Sequence, residues 1–338
     1  MKVLTKNEYS PLKSVIVGRP EYASWPVGDN FFDTMLNLST FKGRPDRGTL
    51  PEKVIQEARE DAYLFIDLLE DEGVTVYRPE IVDWRRTIAG LNHVTTGMSS
   101  WSARDILLSV GDMIIECPTP FVSRQHEASA YHEIRKQAIA DGCRWIAAPQ
   151  PPMEKAEYNV KIGGRVELTE RYPIFDAANV LKMDDKLLYL YSSTGNMSGA
   201  KWLQKIVGSE FEVVVWDNVY PHAHIDSTIM PISKDTVMLN ADRVSGENLP
   251  KFIRPMKKIW VHDCRPGSFY KFPYASKWIG MNVLSINPET VVVDAIQTEL
   301  IKQLQNEKYR VIEVTNRHNR TLGGGFHCMT CDLERECG

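Results

Sequence analysis

One pattern recurs along this chain and limits the folds open to it: two short apolar strands around a polar turn, then a helix, then a third strand. Copies of the paired strands run over 105–110 and 113–117, 175–181 and 186–191, 225–232 and 236–240, and 281–286 and 290–294. Each pair reads as a hairpin. Helical spacing follows over 125–140, 199–207 and 296–306, and closing strands over 143–147, 211–216 and 309–314. After Asn240 a shorter stretch leads to a strand at 258–261. A fifth unit is split between the chain ends. Its helix starts at Pro51, stops at Gly73 and carries the stripe Ile55, Ala58, Ala62, Phe65, Ile66 and Leu69, and Val74 to Tyr77 is its strand. Ser14 to Gly18 would pair with a strand near the other end. The pattern predicts an α/β fold of five ββαβ units in a ring closed by both ends. No Ser, Gly or Pro linker divides residues 1–338, so they are expected to form one domain. Gly43 to Pro51 and Pro149 to Gly164 read as surface loops.

Charge narrows the function. Lys and Arg total 40 against 44 Asp and Glu, a formal net charge of −4. Binding nucleic acid through phosphate neutralisation requires a basic excess or stripe, which is missing. No apolar run reaches the roughly 18 residues of a membrane span. The first residues, Met1 to Glu8, lack the apolar core of a secretory signal, so a cytoplasmic location is expected. Six cysteines are too few and too unevenly spaced for a disulfide scaffold.

The unit starts carry the chemistry. Asp105, Asp176, Asp226 and Asn282 each stand at the head of a first hairpin strand. In a quasi-symmetric ring such positions converge, and carboxylates brought together repel one another unless a cation lies among them. Guanidinium suits the task, because its forked N–H groups match carboxylate geometry. His224, two residues before Asp226, falls on the same side under strand alternation and is a candidate general acid and base, with His222 as competitor. The run Leu322 to Asp332 holds Gly323, Gly324 and Gly325 and then Cys328, a candidate nucleophile. His327, Cys328, Cys331 and Cys337 cluster there but match no common zinc spacing, so no metal and no cofactor are expected. Cys117 and Cys143 read as inert core thiols.

These residues resemble a known family. Asn7-Glu8-Tyr9-Ser10-Pro11-Leu12, Ala103-Arg104-Asp105, Phe175-Asp176-Ala177-Ala178, His224-Ile225-Asp226, Ser276-Lys277-Trp278 and Gly323 to Asp332 look like the motifs, in order, of the amidinotransferases that act on arginine with glycine or an inosamine phosphate. That resemblance implies the five-bladed pentein α/β propeller. It implies Cys328 as nucleophile, His224 as general acid and base, Asp176 as its orienting partner, and Asp105 and Asp226 as holders of the guanidinium. It also implies Arg243 at the donor's α-carboxylate and Ser276 near the substrate's amino-acid end. The implied partners are L-arginine, an amine acceptor and, by analogy, a second copy in a homodimer. The implied reaction moves the amidino group of arginine through an amidino-cysteine to the amine, with ornithine released. Two alternatives remain open: hydrolysis of the intermediate, as in deiminases and dihydrolases, and a silent arginine-binding module.

The departures concern the acceptor. Where glycine-using members carry Asn-Pro-Met before the histidine, this chain has Pro221-His222-Ala223, and Ala275 replaces a serine before Ser276. His222, Ala223, Ala275 and Asn282 are therefore the candidates for shaping the acceptor pocket. They suggest an amine bulkier than glycine, of the kind used in antibiotic or toxin pathways.

Overall fold

The computed structural model describes residues 1–38, 47–90, 92–161 and 165–336. Five three-stranded sheets carry the fold, and each combines one antiparallel with one parallel pairing. Leu107–Val110, Met113–Glu116 and Arg144–Ala147 form one; Val180–Met183, Lys186–Leu190 and Glu212–Trp216 the next. Ile229–Ser233, Thr236–Asn240 and Lys257–Val261 follow, then Leu284–Asn287, Thr290–Asp294 and Arg310–Val314. In the fifth, β1 (Leu12–Val17) lies between Thr330–Arg335, antiparallel, and Thr75–Tyr77, parallel. Strands from near the two chain ends therefore share a sheet, as the split unit requires. The pairings establish five separate three-stranded sheets of a mixed α/β protein; they do not show a propeller.

The middle strands are buried on both faces, and their sequences are correspondingly almost continuously apolar. Leu187, Leu188, Tyr189 and Leu190 are all fully enclosed. Parallel pairing needs a long crossover, supplied in most units by a helix that lays an apolar stripe on the sheet. Two helices near the N-terminal end matter below: α1 (Asn30–Leu38) and α2 (Glu52–Asp71). In α2 the expected stripe, with Val54, is buried. Pro51 precedes the helix with its φ of −58° already near helical, and Gly73 leaves it at φ +80°.

Two expectations change. The four unit-start residues do not head their strands. Asp105 lies in the helical turn Ala103–Ile106, Asp176 precedes the turn Ala177–Asn179, Asp226 lies in a turn before Ile229, and Asn282 ends the turn Lys277–Met281. Apolar neighbours such as Ala177, Ile225 and Met281 are buried there as they would be in a strand, so the pattern alone does not separate the two. The stretch 149–164 is also more than a loop. Tyr158–Val160 pairs with Val166–Leu168, and Tyr158, Val166 and Leu168 pack with Phe31 and Ile174. Residues 162–164 of that stretch, and 43–46 of the other expected loop, lie outside the described residues.

Candidate active site

The turns before the strands bring five of the expected residues together. His224 Nε2 lies 2.9 Å from Asp176 Oδ2, and its Nδ1 lies 3.7 Å from Asp105 Oδ1. Cys328 Sγ donates to Asp226 Oδ2 at 3.2 Å. One ligand-type atom from each of Asp105, His224 and Cys328 falls within 4.8 Å of the other two, close enough to share one cation. Asp105, Asp176, Asp226 and Cys328 are nearly fully buried. His224 is not on a strand: its φ is +63°, in the left-handed region that histidine enters more readily than most residues. The turn, rather than strand alternation, sets its ring beside Asp105 and Asp176.

The glycine run is explained by contact. Gly323 adopts φ +79°, and a Cβ there would fall 2.1 Å from the Tyr274 ring. A Cβ on Gly325 would come within 2.7 Å of Asn282 Cβ. This closeness lets Asn282 grip Cys328 at two points: its Oδ1 accepts from the Cys328 N–H at 2.9 Å and its Nδ2 donates to Sγ at 3.2 Å. Gly325→Ala is expected to displace Asn282 and lower kcat by about tenfold or more while the protein still melts cooperatively. Steady-state kinetics beside a thermal melt checks this.

Electrostatics divide the groups. Burial would raise the Asp226 carboxyl, but the hydrogen bond and charge of His327 lead the opposing effects and hold it at about 2. Burial raises Asp105, against the pull of His224 and Arg124. Burial would lower His224, yet Asp105 and Asp176 push it up to about 9. Burial, then Asp226 and Asp105, lift the Cys328 thiol well above its ordinary range. Without a bound cation the site therefore holds a thiol beside an imidazolium.

A cavity of about 290 Å³ opens onto Cys328, His224 and Asp226. His222, Ala223, Ala275 and Ser276 line it. Its described walls are otherwise mainly apolar, with Phe32, Met35, Leu36 and Leu38 of α1 facing Phe121, Phe272 and Ile279. Asn282 is not among the lining residues; it serves Cys328 instead. Arg243 is also behind the wall. Its guanidinium stacks 3.5 Å from the Tyr220 ring, and Nη1 is held by Ser227 and Thr228, whereas Tyr220 and Ser227 line the cavity. Ser276 Oγ caps the turn that follows it by accepting from the Trp278 N–H. Cys331 faces the Leu107 carbonyl inside the protein, and Cys337 lies outside the described residues.

Sequence reasoning missed a layer of charge behind the site. Arg124 donates to Asp105 Oδ2 at 2.7 Å and pairs with Glu127. Arg104 joins Glu8 and Asp332, and Lys182 lies 3.3 Å from Glu8. Glu8 and Arg104 belong to two of the motifs quoted above, which was the available signal. Arg124 and Glu127 carried none, since charges three residues apart usually mark a solvated helix face.

No family model matches the chain. An inosamine-phosphate amidinotransferase of Streptomyces griseus is 38% identical over 98% of this chain and 97% of its own length. An L-arginine:L-lysine amidinotransferase of Pseudomonas savastanoi pv. phaseolicola is 29% identical, covering 98% and 94%. Among solved structures, that of the S. griseus inosamine-phosphate amidinotransferase superposes with a TM-score of 0.94 at 37% identity, over 99% of this chain and 97% of the other. A saxitoxin-pathway amidinotransferase from Microseira wollei gives 0.88 at 28%, over 99% and 98%. A dimethylarginine dimethylaminohydrolase of Pseudomonas aeruginosa, at 15% identity and TM-score 0.63, covers 95% of this chain and 99% of its own and shares the fold alone. With that identity held over almost the whole chain and that geometry at its centre, the protein belongs to the amidinotransferases, a family of transferase enzymes.

Proposed function

We propose that the protein transfers the amidino group of L-arginine to a primary amine bulkier than glycine, through an amidino group carried on Cys328. The observation that carries this reading is the meeting of Cys328 Sγ, the Asp176-bound His224 and the Asp105 and Asp226 carboxylates at one cavity. Asp105 Oδ1 and Asp176 Oδ1 are buried with no hydrogen-bond partner among the described residues, so acceptor capacity is left for a donor-rich cation.

The steps follow from the charges. Arginine enters as a cation, and its charge pulls the raised thiol down to thiolate as the proton leaves. The sulfur attacks the central carbon of the guanidinium, a group the carboxylates keep protonated and so electrophilic at carbon. The bond from that carbon to the ornithine nitrogen breaks, and His224 gives that nitrogen its proton. Ornithine departs. The amine acceptor enters, His224 takes a proton from it, its nitrogen attacks the amidino carbon, and the carbon–sulfur bond breaks to restore the thiolate. The kinetics are then ping-pong. Arg243 leaves Nε and Nη2 without partners among the described residues, which suits it to the donor's carboxylate.

The five sheets fit as five blades of one pentein ring spanning residues 1–338, since Asp226, Ile279 and Cys328, from the turns before three of them, line one cavity, and Asp105 and Asp176, from the turns before the other two, meet His224 beside it. Among the described residues no helix is long and apolar enough to cross a membrane.

Mixing enzyme with arginine alone is expected to release ornithine and leave the mass of one amidino group on Cys328. Citrulline or ammonia instead would replace the transfer reading with hydrolysis, and arginine bound unchanged would mark a silent binding module. An acceptor screen with arginine labelled in its amidino carbon then identifies the amine. Ala223→Met is expected to raise KM for the preferred bulky acceptor about tenfold, by filling the cavity, while the rate of ornithine release in the first half-reaction stays within about twofold. Guanidinoacetate formed from glycine as fast as any other product would sink the bulky-acceptor reading.

A further inference from the structure

His327 immediately precedes the nucleophile and does not line the cavity. Its ring is buried between two carboxylates: Nδ1 lies 3.0 Å from Asp226 Oδ2, and Nε2 lies 3.4 Å from Glu8 Oε2. An ionised carboxylate only accepts, so the Nδ1 position carries a proton and donates to Asp226. That Asp226 oxygen is the one that also receives the Cys328 thiol.

Behind the ring the structure is rigidly tied. Glu8 is held by Arg104 at 3.0 Å and Lys182 at 3.3 Å, and its Oε1 also accepts from the Lys182 backbone N–H at 3.1 Å. Arg104 Nε donates to the His327 carbonyl at 2.9 Å, and the Arg104 N–H donates to the Cys328 carbonyl at 3.1 Å. Asp332 closes the cluster by accepting from Arg104 and Arg335. These groups are all nearly enclosed, so solvent cannot take over a lost hydrogen bond.

We propose that His327, braced by Glu8, is a positioning residue that keeps the Asp226 carboxylate ionised and aimed at both the sulfur and the substrate cation. It acts through Asp226 and need not touch substrate. This inference rests on the transfer chemistry above, in which Asp226 holds the guanidinium.

Two nearly isosteric variants separate the ring's two hydrogen bonds. In His327→Asn the amide nitrogen takes the place of Nδ1 and keeps the bond to Asp226. In His327→Gln the amide reaches the Nε2 position, keeps Glu8 and abandons Asp226. H327N is expected to retain kcat/KM for arginine within about fivefold of the wild type, with an unmoved acid limb of the pH profile. H327Q is expected to lose on the order of thirtyfold, with the acid limb shifted to higher pH because Asp226 becomes easier to protonate. A binding readout free of turnover accompanies the kinetics. Calorimetric titration of arginine into C328A, C328A/H327N and C328A/H327Q is expected to weaken only in the last, most strongly at acid pH. Equal behaviour of the Asn and Gln variants in both measurements, or losses that do not vary with pH, would overturn the proposal. Failure of the wild type itself to release ornithine would strike the catalytic reading and leave the binding comparison to judge His327.

Discussion

Replacing Cys328 with alanine is expected to abolish turnover, by at least about ten-thousandfold, while arginine still binds within about threefold of its wild-type affinity. The asymmetry follows from the division of labour at the site. In the proposed route attraction for the cation comes from Asp226 and Asp105, which the substitution leaves in place, while bond-making is assigned to the sulfur alone. Removing the thiol also takes one donor from Asp226 Oδ2 but leaves that of His327. Exchange of labelled ornithine into arginine, without any acceptor, is the sharpest assay, because it runs only through the covalent half-reaction. Exchange surviving in C328A at near the wild-type rate would refute the assignment of the nucleophile.

The second large effect belongs to His224. His224→Asn is expected to lower kcat by about a hundred- to ten-thousandfold, the range for loss of a positioned acid–base group. The pH dependence gives a finer test. In the proposed route the first half-reaction needs the ring protonated, and Asp105 and Asp176 push its pKa up to about 9. Ornithine release is therefore expected to be flat near neutrality and to fall as pH rises through about 9. Asp176→Asn withdraws one of the carboxylates responsible, so the fall should move to lower pH. The same proton has a stability consequence of defined sign. A histidine raised from about 6.5 in the unfolded chain stabilises the fold fully below that value and loses its contribution as pH climbs past its folded pKa. The melting temperature of wild type relative to H224N should accordingly decline between about pH 6.5 and 9. No such difference between the two proteins would mean that the ring is not held by its carboxylates in solution.

How much of this was legible in the sequence varied with the physics involved. The five-sheet plan was readable because the middle strand of each sheet is covered on both faces, which forces runs such as Leu187 to Leu190. The split unit showed through the apolar run of β1; its partner at 330–335 holds Asp332, Glu334 and Arg335, and its place had no apolar signal. The neighbourhood of Cys328, His224, Asp176, Asp105 and Asp226 was also reached correctly, but for His224 and Asp226 by a wrong local route. Strand alternation was invoked where a turn with a left-handed histidine does the positioning. Nothing in the sequence marks that Asn282 stays off the cavity wall and contacts Cys328 at two points. Arg124, Glu127 and Lys182 were invisible, because nothing in a linear pattern marks a charged residue that is buried against a partner distant in the chain.

The shared sheet has a bearing on how the enzyme comes into being. β1 leaves the ribosome before the strands of the other four sheets, yet one of its two neighbours is made of residues 330–335. The contact spans more than three hundred residues and so belongs to the slow end of folding. Cys328 stands two residues before that late strand. Until residue 328 is made, the growing chain can gather Asp105, Asp176 and Asp226 but has no Cys328 sulfur to set among them, so the proposed nucleophile arrives only with the strand that completes the sheet.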